Sequence, residues 1–445
     1  MPDRHLPARR RPRLRGAVAA SALGAALFLA GAVGLPAQTP TDGGAPTAAG
    51  AGAGAGAGDS LTTDIGRLQA HLRDTPGDAE ALAALGLDYV QQAKNTADPS
   101  YYPRAEEVLR RSLSAEPADN FTALGGMAAL AAGRHAFADA LDWAQRAVAV
   151  NPYNSALYGT LADAYTQLGR YDEAADAVQR MVDLRPGAPS LSRASYVAEL
   201  RGDTATARAD MARALQDAAG PADRAFAHYY LAQLAFGSGD AAGALAEAQA
   251  GLRESPTHAG LLEARALARA ALGDTASAVE DLTAAVRQVP APQYVLELGD
   301  LYRSLGRTAE AAEQDRVFRA EQQLFTANGV ALDADAALFE ADHGDPARAL
   351  EIATGAVASR PFVESHDALA WALHINGRDA EALAESDLAL APGLRSALFH
   401  YHRAQILAAL GDGAGQHDEL ARALAINPHF HPVWAPRARE EMGGR

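Results

Sequence analysis

The chain has 445 residues, a formal net charge of −16, 49% hydrophobic residues and no cysteine. That length exceeds what one compact core organises. The missing thiols exclude disulfides, cysteine metal sites, a thiol nucleophile and a lipidated N-terminal cysteine, and the acid excess argues against nucleic acid, whose phosphates need a basic face.

Charge is unevenly spread at the start. Residues 1–15 hold six arginines and one aspartate, a net +5, which leaves about −21 on the remainder, read as a solvated acidic surface. Residues 16–35, GAVAASALGAALFLAGAVGL, carry no charge. As a helix they would span about 30 Å, enough to cross a bilayer core. The basic-then-apolar order of residues 1–35 predicts a cleaved export signal or a retained membrane anchor. Either leaves the arginines in the cytoplasm and carries the bulk across, to an exported place at the cell membrane or to secretion. Residues 36–59, rich in Pro, Ala and Gly, have almost nothing to bury and read as a flexible linker. Residues 60–77, with Ile65, Leu68 and Leu72 on one stripe before Pro76-Gly77, predict a single helix that caps the larger helical region beyond it.

The clearest pattern lies at residues 155–186. Tyr158, Leu161, Ala162 and Tyr165, then Tyr171, Ala174, Val178 and Met181, have the three-and-four spacing of amphipathic helices. Gly169 closes the first helix and Pro186 stops the second. Such a hairpin cannot bury both faces alone and needs copies on each side. The copies are present. The inter-helix glycine returns as Gly202, Gly239, Gly273, Gly306, Gly344, Gly377 and Gly411, and closing prolines stand at Pro117, Pro152, Pro186, Pro221, Pro256 and Pro290, a period of about 34 residues. LGRYDEAA, LGDTASAV, LGRTAEAA and NGRDAEAL are near copies around those glycines.

On these residues the chain resembles a tetratricopeptide repeat protein of the exported or membrane-anchored bacterial type. The resemblance implies an all-α, right-handed α-solenoid of about ten helical hairpins. Repeats 1–7 then fill 78–325 and repeats 8–10 fill 326–428, with a C-terminal cap or tail at 429–445. Residues 95–102 are expected to lengthen the first inter-helix turn, Lys94 included. The second helix of repeat 7 runs on to Asn328-Gly329, so a junction between sub-arrays is expected near 324–333. The small residues Ala140, Ala174, Ala207, Ala244, Ala278, Ala311, Ala349 and Ala382 occupy the position where paired helices approach most closely.

Catalytic and metal signatures are missing: there is no HExxH, no phosphate-binding GxxxxGK[ST] and no GxSxG. No enzyme activity, cofactor or metal site is expected. His400 and His402 are two apart on a helix and should point away from one another. His429 and His431 lie in a loop without a third ligand. In the resembled family, partners lie along the concave face. Projected there, Tyr196, Phe226, Tyr229, Phe236, Trp371, His374 and Tyr401 form a partly aromatic groove for a peptide or helix of a partner protein, joined by Met127 and Leu130; the alternative is that these side chains are core. The family's carboxylate-gripping lysine, asparagine and arginine set is missing. The expected function is a non-enzymatic interaction scaffold outside the cytoplasmic membrane, touching the membrane only through its N-terminus. The alternative is a small-ligand or metal-handling protein using the solenoid cavity or the C-terminal histidines.

Overall fold

The computed structural model describes residues 56–443, so the expected signal or anchor and nearly all of the linker lie outside it. The fold is all-α, with 22 helices and no strand among the described residues. No helix among the described residues is long and apolar enough to cross a membrane. Helix α1 (Gly56–Asp74) begins inside the stretch expected to be linker. Once Ile65 and Leu68 pack into the first core cluster, adding further turns costs little beside nucleation.

Ten helix pairs come after α1. They are α2 (Ala79–Thr96) with α3 (Tyr101–Ala115), α4 (Phe121–Gly133) with α5 (Phe137–Val150), and α6 (Ser155–Gln167) with α7 (Tyr171–Leu184). Next come α8 (Ala188–Leu200) with α9 (Thr204–Gln216), α10 (Pro221–Gly237) with α11 (Ala241–Glu254), and α12 (Ala259–Ala271) with α13 (Thr275–Gln288). The last four are α14 (Pro292–Ser304) with α15 (Thr308–Ala327), α16 (Ala334–His343) with α17 (Pro346–Ser359), α18 (Val363–Ile375) with α19 (Asp379–Leu390), and α20 (Ala397–Leu410) with α21 (Gly413–Ile426). Helix α22 (Trp434–Gly443) packs beyond the last pair. Helices pack on their partners and most also on the next pair, which is the geometry of an α-solenoid; at the junction expected near 324–333, α15 and α16 meet through the Phe318 and Phe339 rings, 4.5 Å apart.

Local chemistry explains the turns. Gly202, Gly239, Gly273 and Gly411 take the left-handed conformation, and the Asp after each caps the second helix: Asp240 Oδ1 accepts from Gly243 N at 2.8 Å and Asp412 Oδ1 from Gly415 N at 2.9 Å. Where Arg follows the glycine, it pairs with a Glu three residues on, as Arg307 Nε does with Glu310 at 3.0 Å and Arg378 Nε with Glu381 at 2.7 Å. Gly344 differs, with φ −125, because the Glu340 side chain reaches back and accepts from Asp345 N at 3.0 Å. All eight close-approach alanines, from Ala140 to Ala382, are buried. The first turn is shorter than expected. Helix α2 runs to Thr96, so Lys94 is helical and partly buried, with its charge felt by Asp163 and Arg193.

The array closes on itself. Each turn between paired helices in repeats 2–5 meets a link about 190 residues further on. Ala331 N donates to Arg134 O at 3.2 Å, in the link just after the left-handed Gly329. A Cβ on Gly169 would lie 2.5 Å from the Pro361 carbonyl oxygen, and one on Gly202 would strike the Gly393 carbonyl oxygen. One on Gly239 would come within 3.0 Å of Ile426 O, and Asn427 Nδ2 donates to Phe236 O at 2.8 Å. Repeats 8–10 thus form an in-register seam with repeats 2–5.

Candidate functional site

Most of the expected groove residues are core side chains: Tyr196 and Tyr229 belong to one hydrophobic cluster, Trp371 and Tyr401 to another, and Phe236 to a third. Tyr196, Tyr229, Phe236, Trp371 and Tyr401 are between 2% and 8% exposed, so the open aromatic face expected from the sequence is a covered one. Met127 and Leu130 are buried as well. Phe226 is half-buried, edge-on to Tyr230 with ring centroids 4.6 Å apart, and His374 is partly buried with Nδ1 2.6 Å from Asp379. Two parts of the chain do the covering. Glu364 and residues 394–399 line one pocket with Tyr196, and Phe430 lines another with Phe236. On repeats 9 and 10, Trp434 stacks on Tyr401 at 5.3 Å and meets Trp371 edge-on at 6.3 Å, with Phe430 5.7 Å from Tyr401. Exposed aromatics on a concave surface have a strong drive to leave water, and the C-terminal segment satisfies it.

Beneath the aromatics runs a polar row that joins successive first helices. Arg193 holds Asp163 through two bonds, each of 2.8 Å, both side chains buried. Burial pulls the nearby Lys94 ammonium down to about 8, against the attraction of Asp163. Gln233 donates to Tyr229 OH at 3.0 Å and to Glu263 Oε2 at 3.1 Å. Glu263 faces Glu297 on the next first helix. Burial pushes the Glu263 carboxyl up to about 8, and burial together with Glu263 drives Glu297 well above the carboxylate range. Two adjacent buried carboxyls cannot both ionise cheaply, so this pair holds a proton at neutral pH. Further along, Trp371 Nε1 donates to Asp342 at 2.8 Å, and His402 Nδ1 lies 2.9 Å from Asp367 while its ring stacks on Trp371 at 4.3 Å.

Asp300 behaves oppositely to the glutamates. Burial would raise it, but His343 and His431, with Nε2 atoms 3.7 and 3.4 Å away, hold it well below the usual range. Arg303 adds a bond of 3.1 Å. His431 Nδ1 accepts from the backbone N–H groups of Val433 and Trp434 at 3.1 and 3.3 Å. The ring proton therefore sits on Nε2 and points at Asp300, so that nitrogen has no lone pair to offer a metal. His429 is exposed and its imidazole is lowered by burial and Arg439. His400 and His402 point apart, His400 to Glu419 at 2.5 Å and His402 to Asp367. Among the described residues no three His, Cys, Asp or Glu side chains are grouped to hold a metal ion.

Two features escaped sequence reasoning. One is a staple between the helices of a pair: His228–Glu247, His366–Glu385 and His400–Glu419, each with its histidine 19 residues before its glutamate, at 2.7, 2.7 and 2.5 Å. The spacing was visible in the chain, but a 19-residue interval gains meaning only when the pair is folded. The other is a cavity of about 250 Å³ between the inner face of α10, α12 and α14 and the C-terminal segment. Phe236, Ala266, Leu301 and Phe430 give it apolar walls, and Glu297 and Asp300 its acidic floor.

Family comparison bears on the repeat itself. Two tetratricopeptide repeat models match the chain, at residues 129–194 and 263–322. The chain carries tetratricopeptide repeats. Tetratricopeptide repeats are generally non-catalytic and serve as protein–protein interaction scaffolds. No curated protein matches. Among solved structures, a tetratricopeptide repeat protein of Thermus thermophilus is 23% identical over 44% of this chain and 98% of its own, with a TM-score of 0.38. One from Parabacteroides merdae is 17% identical over 57% of this chain and 97% of its own, TM-score 0.33, and human IFIT1 is 13% identical over 82% and 94%, TM-score 0.42. At these TM-scores none of the three bears on the function of this chain.

Proposed function

We propose that this chain is a non-enzymatic interaction scaffold acting outside the cytoplasmic membrane, whose inner face receives a peptide or helix of a partner protein. One observation carries the reading: the inner face already holds a peptide, its own residues 427–434. Asn427 is tied to the Phe236 carbonyl, His431 to Asp300, and Phe430 and Trp434 to Tyr401 and Trp371. Aromatic anchors on a short segment, with polar groups fixing its register, are how concave helical surfaces recognise peptides. A partner segment with the same character would compete for the same face, with Tyr196, Phe236, Trp371 and Tyr401 as the main contacts. Support for export rests on the arginine-rich start and the uncharged residues 16–35.

The test is capture from membrane fractions with the full chain and with Phe430→Ala plus Trp434→Ala, which weakens the internal occupant. The double variant should retain more partner, and Trp371→Ala should then remove it. Equal capture by all three would set the inner face aside. A fusion reporter that is active only after export should be active behind residues 1–59. The alternative, metal handling through the C-terminal histidines, is disfavoured by the committed Nε2–H of His431.

A further inference from the structure

We infer that the cavity between α12, α14 and the C-terminal segment is a binding site for an organic ammonium group, received by the Glu297 carboxylate with Glu263 behind it. Glu297 is 7% exposed and lines the cavity. Its Oε1 takes only a long bond, 3.4 Å, from Gln293, and otherwise its carboxyl meets only Glu263, with which it shares a proton. A buried carboxyl pair with no cation beside it is costly to ionise, and an ammonium group in the cavity would remove that cost.

The arginines around the cavity, among the described residues, are all committed elsewhere. Arg303 is held by Asp300 and Asp315, and Arg265 and Arg269 both grip Asp281. Arg439, at the rim, donates to the Pro428 carbonyl. The remaining groups facing the pair are neutral donors or phenols: Gln233 and Tyr229 from α10, Gln293 and Tyr294 from α14. Asp300, the other carboxylate of the lining, is already met by Arg303, His343 and His431. The unmet charge-accepting capacity of the cavity is therefore concentrated on Glu297.

Size and lining narrow the ligand. About 250 Å³ is below the roughly 300–1,000 Å³ of pockets for drug-sized molecules, so the occupant is a small amine or one lysine-like side chain. Apolar walls of Ala266, Leu267, Leu301 and Phe430 suit a methylene stem, with the charged head on the carboxylate. The mouth lies by Ser304 and the exposed Leu305. On binding, the ammonium keeps its own protons and the one shared by Glu263 and Glu297 passes to solvent. Affinity should therefore rise with pH, by up to about tenfold per unit while the pair remains protonated in the free protein.

Titration calorimetry on the full chain tests this with n-butylamine, Nα-acetyl-lysine methylamide and, as the uncharged control, n-butanol. Saturable binding of an amine, release of about one proton in buffers of differing ionisation enthalpy, and a loss of tenfold or more in Glu297→Gln are expected. Ala271→Phe, which fills the rim and leaves both carboxyls in place, should lose binding equally and covers the case of a poorly folded Glu297→Gln. Binding of n-butylamine alone points to a free amine, and equal or tighter binding of the capped lysine to a side chain. No saturable amine binding at millimolar concentration, butanol binding as well as amine, or full affinity in both variants would overturn the site. Partner capture that survives such a failure leaves the scaffold reading standing.

Discussion

Gly202→Ala, compared with Gly273→Ala, isolates the seam. The two glycines close equivalent turns, in repeats 4 and 6, with φ of +75 and +91. Any L-residue there pays about 1–2 kcal/mol for the left-handed conformation. Around Gly273 a Cβ meets nothing within 4 Å, so Gly273→Ala should cost that strain and nothing more. At Gly202 the new methyl falls on the Gly393 carbonyl oxygen, with Arg395 Cγ 3.6 Å away. Backbone on both sides of the seam must shift, and overpacking of this kind costs about 1–3 kcal/mol more. The total for Gly202→Ala is about 2–5 kcal/mol, or an opened seam that relieves it. Urea denaturation with circular dichroism measures the loss, with the earliest transition compared because repeat arrays need not unfold in one step. Small-angle scattering reads the shape. Equal destabilisation of the two variants, with unchanged scattering, would refute the packing of repeat 4 against the link between repeats 9 and 10.

Three further outcomes are expected. Arg193→Ala leaves Asp163 buried without its partner and should cost about 3–5 kcal/mol, whereas Arg193→Met with Asp163→Leu should recover most of it in the same urea experiment. Ala174→Leu should lower the melting temperature by forcing α6 and α7 apart, at about 1–3 kcal/mol, and the less buried Ala175→Leu should do so much less. Glu263 and Glu364, both pushed up to about 8 by burial, stay protonated in the folded chain where the unfolded chain has already lost those protons. Stability should therefore fall as pH rises from about 5 to 8, by at most about 1.4 kcal/mol per unit for each carboxyl. A melting temperature that climbs over that range at constant ionic strength would contradict the burial of these acids.

The repeat was legible because its determinants are local. A left-handed glycine, an aspartate cap and a buried alanine each act within one pair of helices, so Gly239, Asp240 and Ala244 announce a turn without help from the rest of the chain. The closure was not legible. Nothing in Gly169 or Pro361 tells that the two will meet, since that depends on the small rotation between successive pairs summed over several repeats. The same ignorance of distant neighbours hid the candidate site. The helical spacing of Trp371 and Tyr401 predicts an exposed groove, but their covering by Trp434 comes from the path of the last segment. In an acidic chain, Glu263, Glu297 and Asp300 look like any solvated carboxylates until the fold buries them. Lys94 was misplaced for a simpler reason: α2 continues to Thr96, and the residue that turns the chain is Ala97, with φ 52.

Because the chain has no native cysteine, a pair of spin labels can be introduced cleanly at Arg201→Cys and Arg395→Cys, two exposed positions on opposite sides of the seam. The distance between them tests self-closure most directly. A closed array gives one short, narrow distance. Five helix pairs stacked about 10 Å apart in an open array would instead give roughly 50 Å, and a distribution centred there would mean that the inner face is open and the seam is not formed.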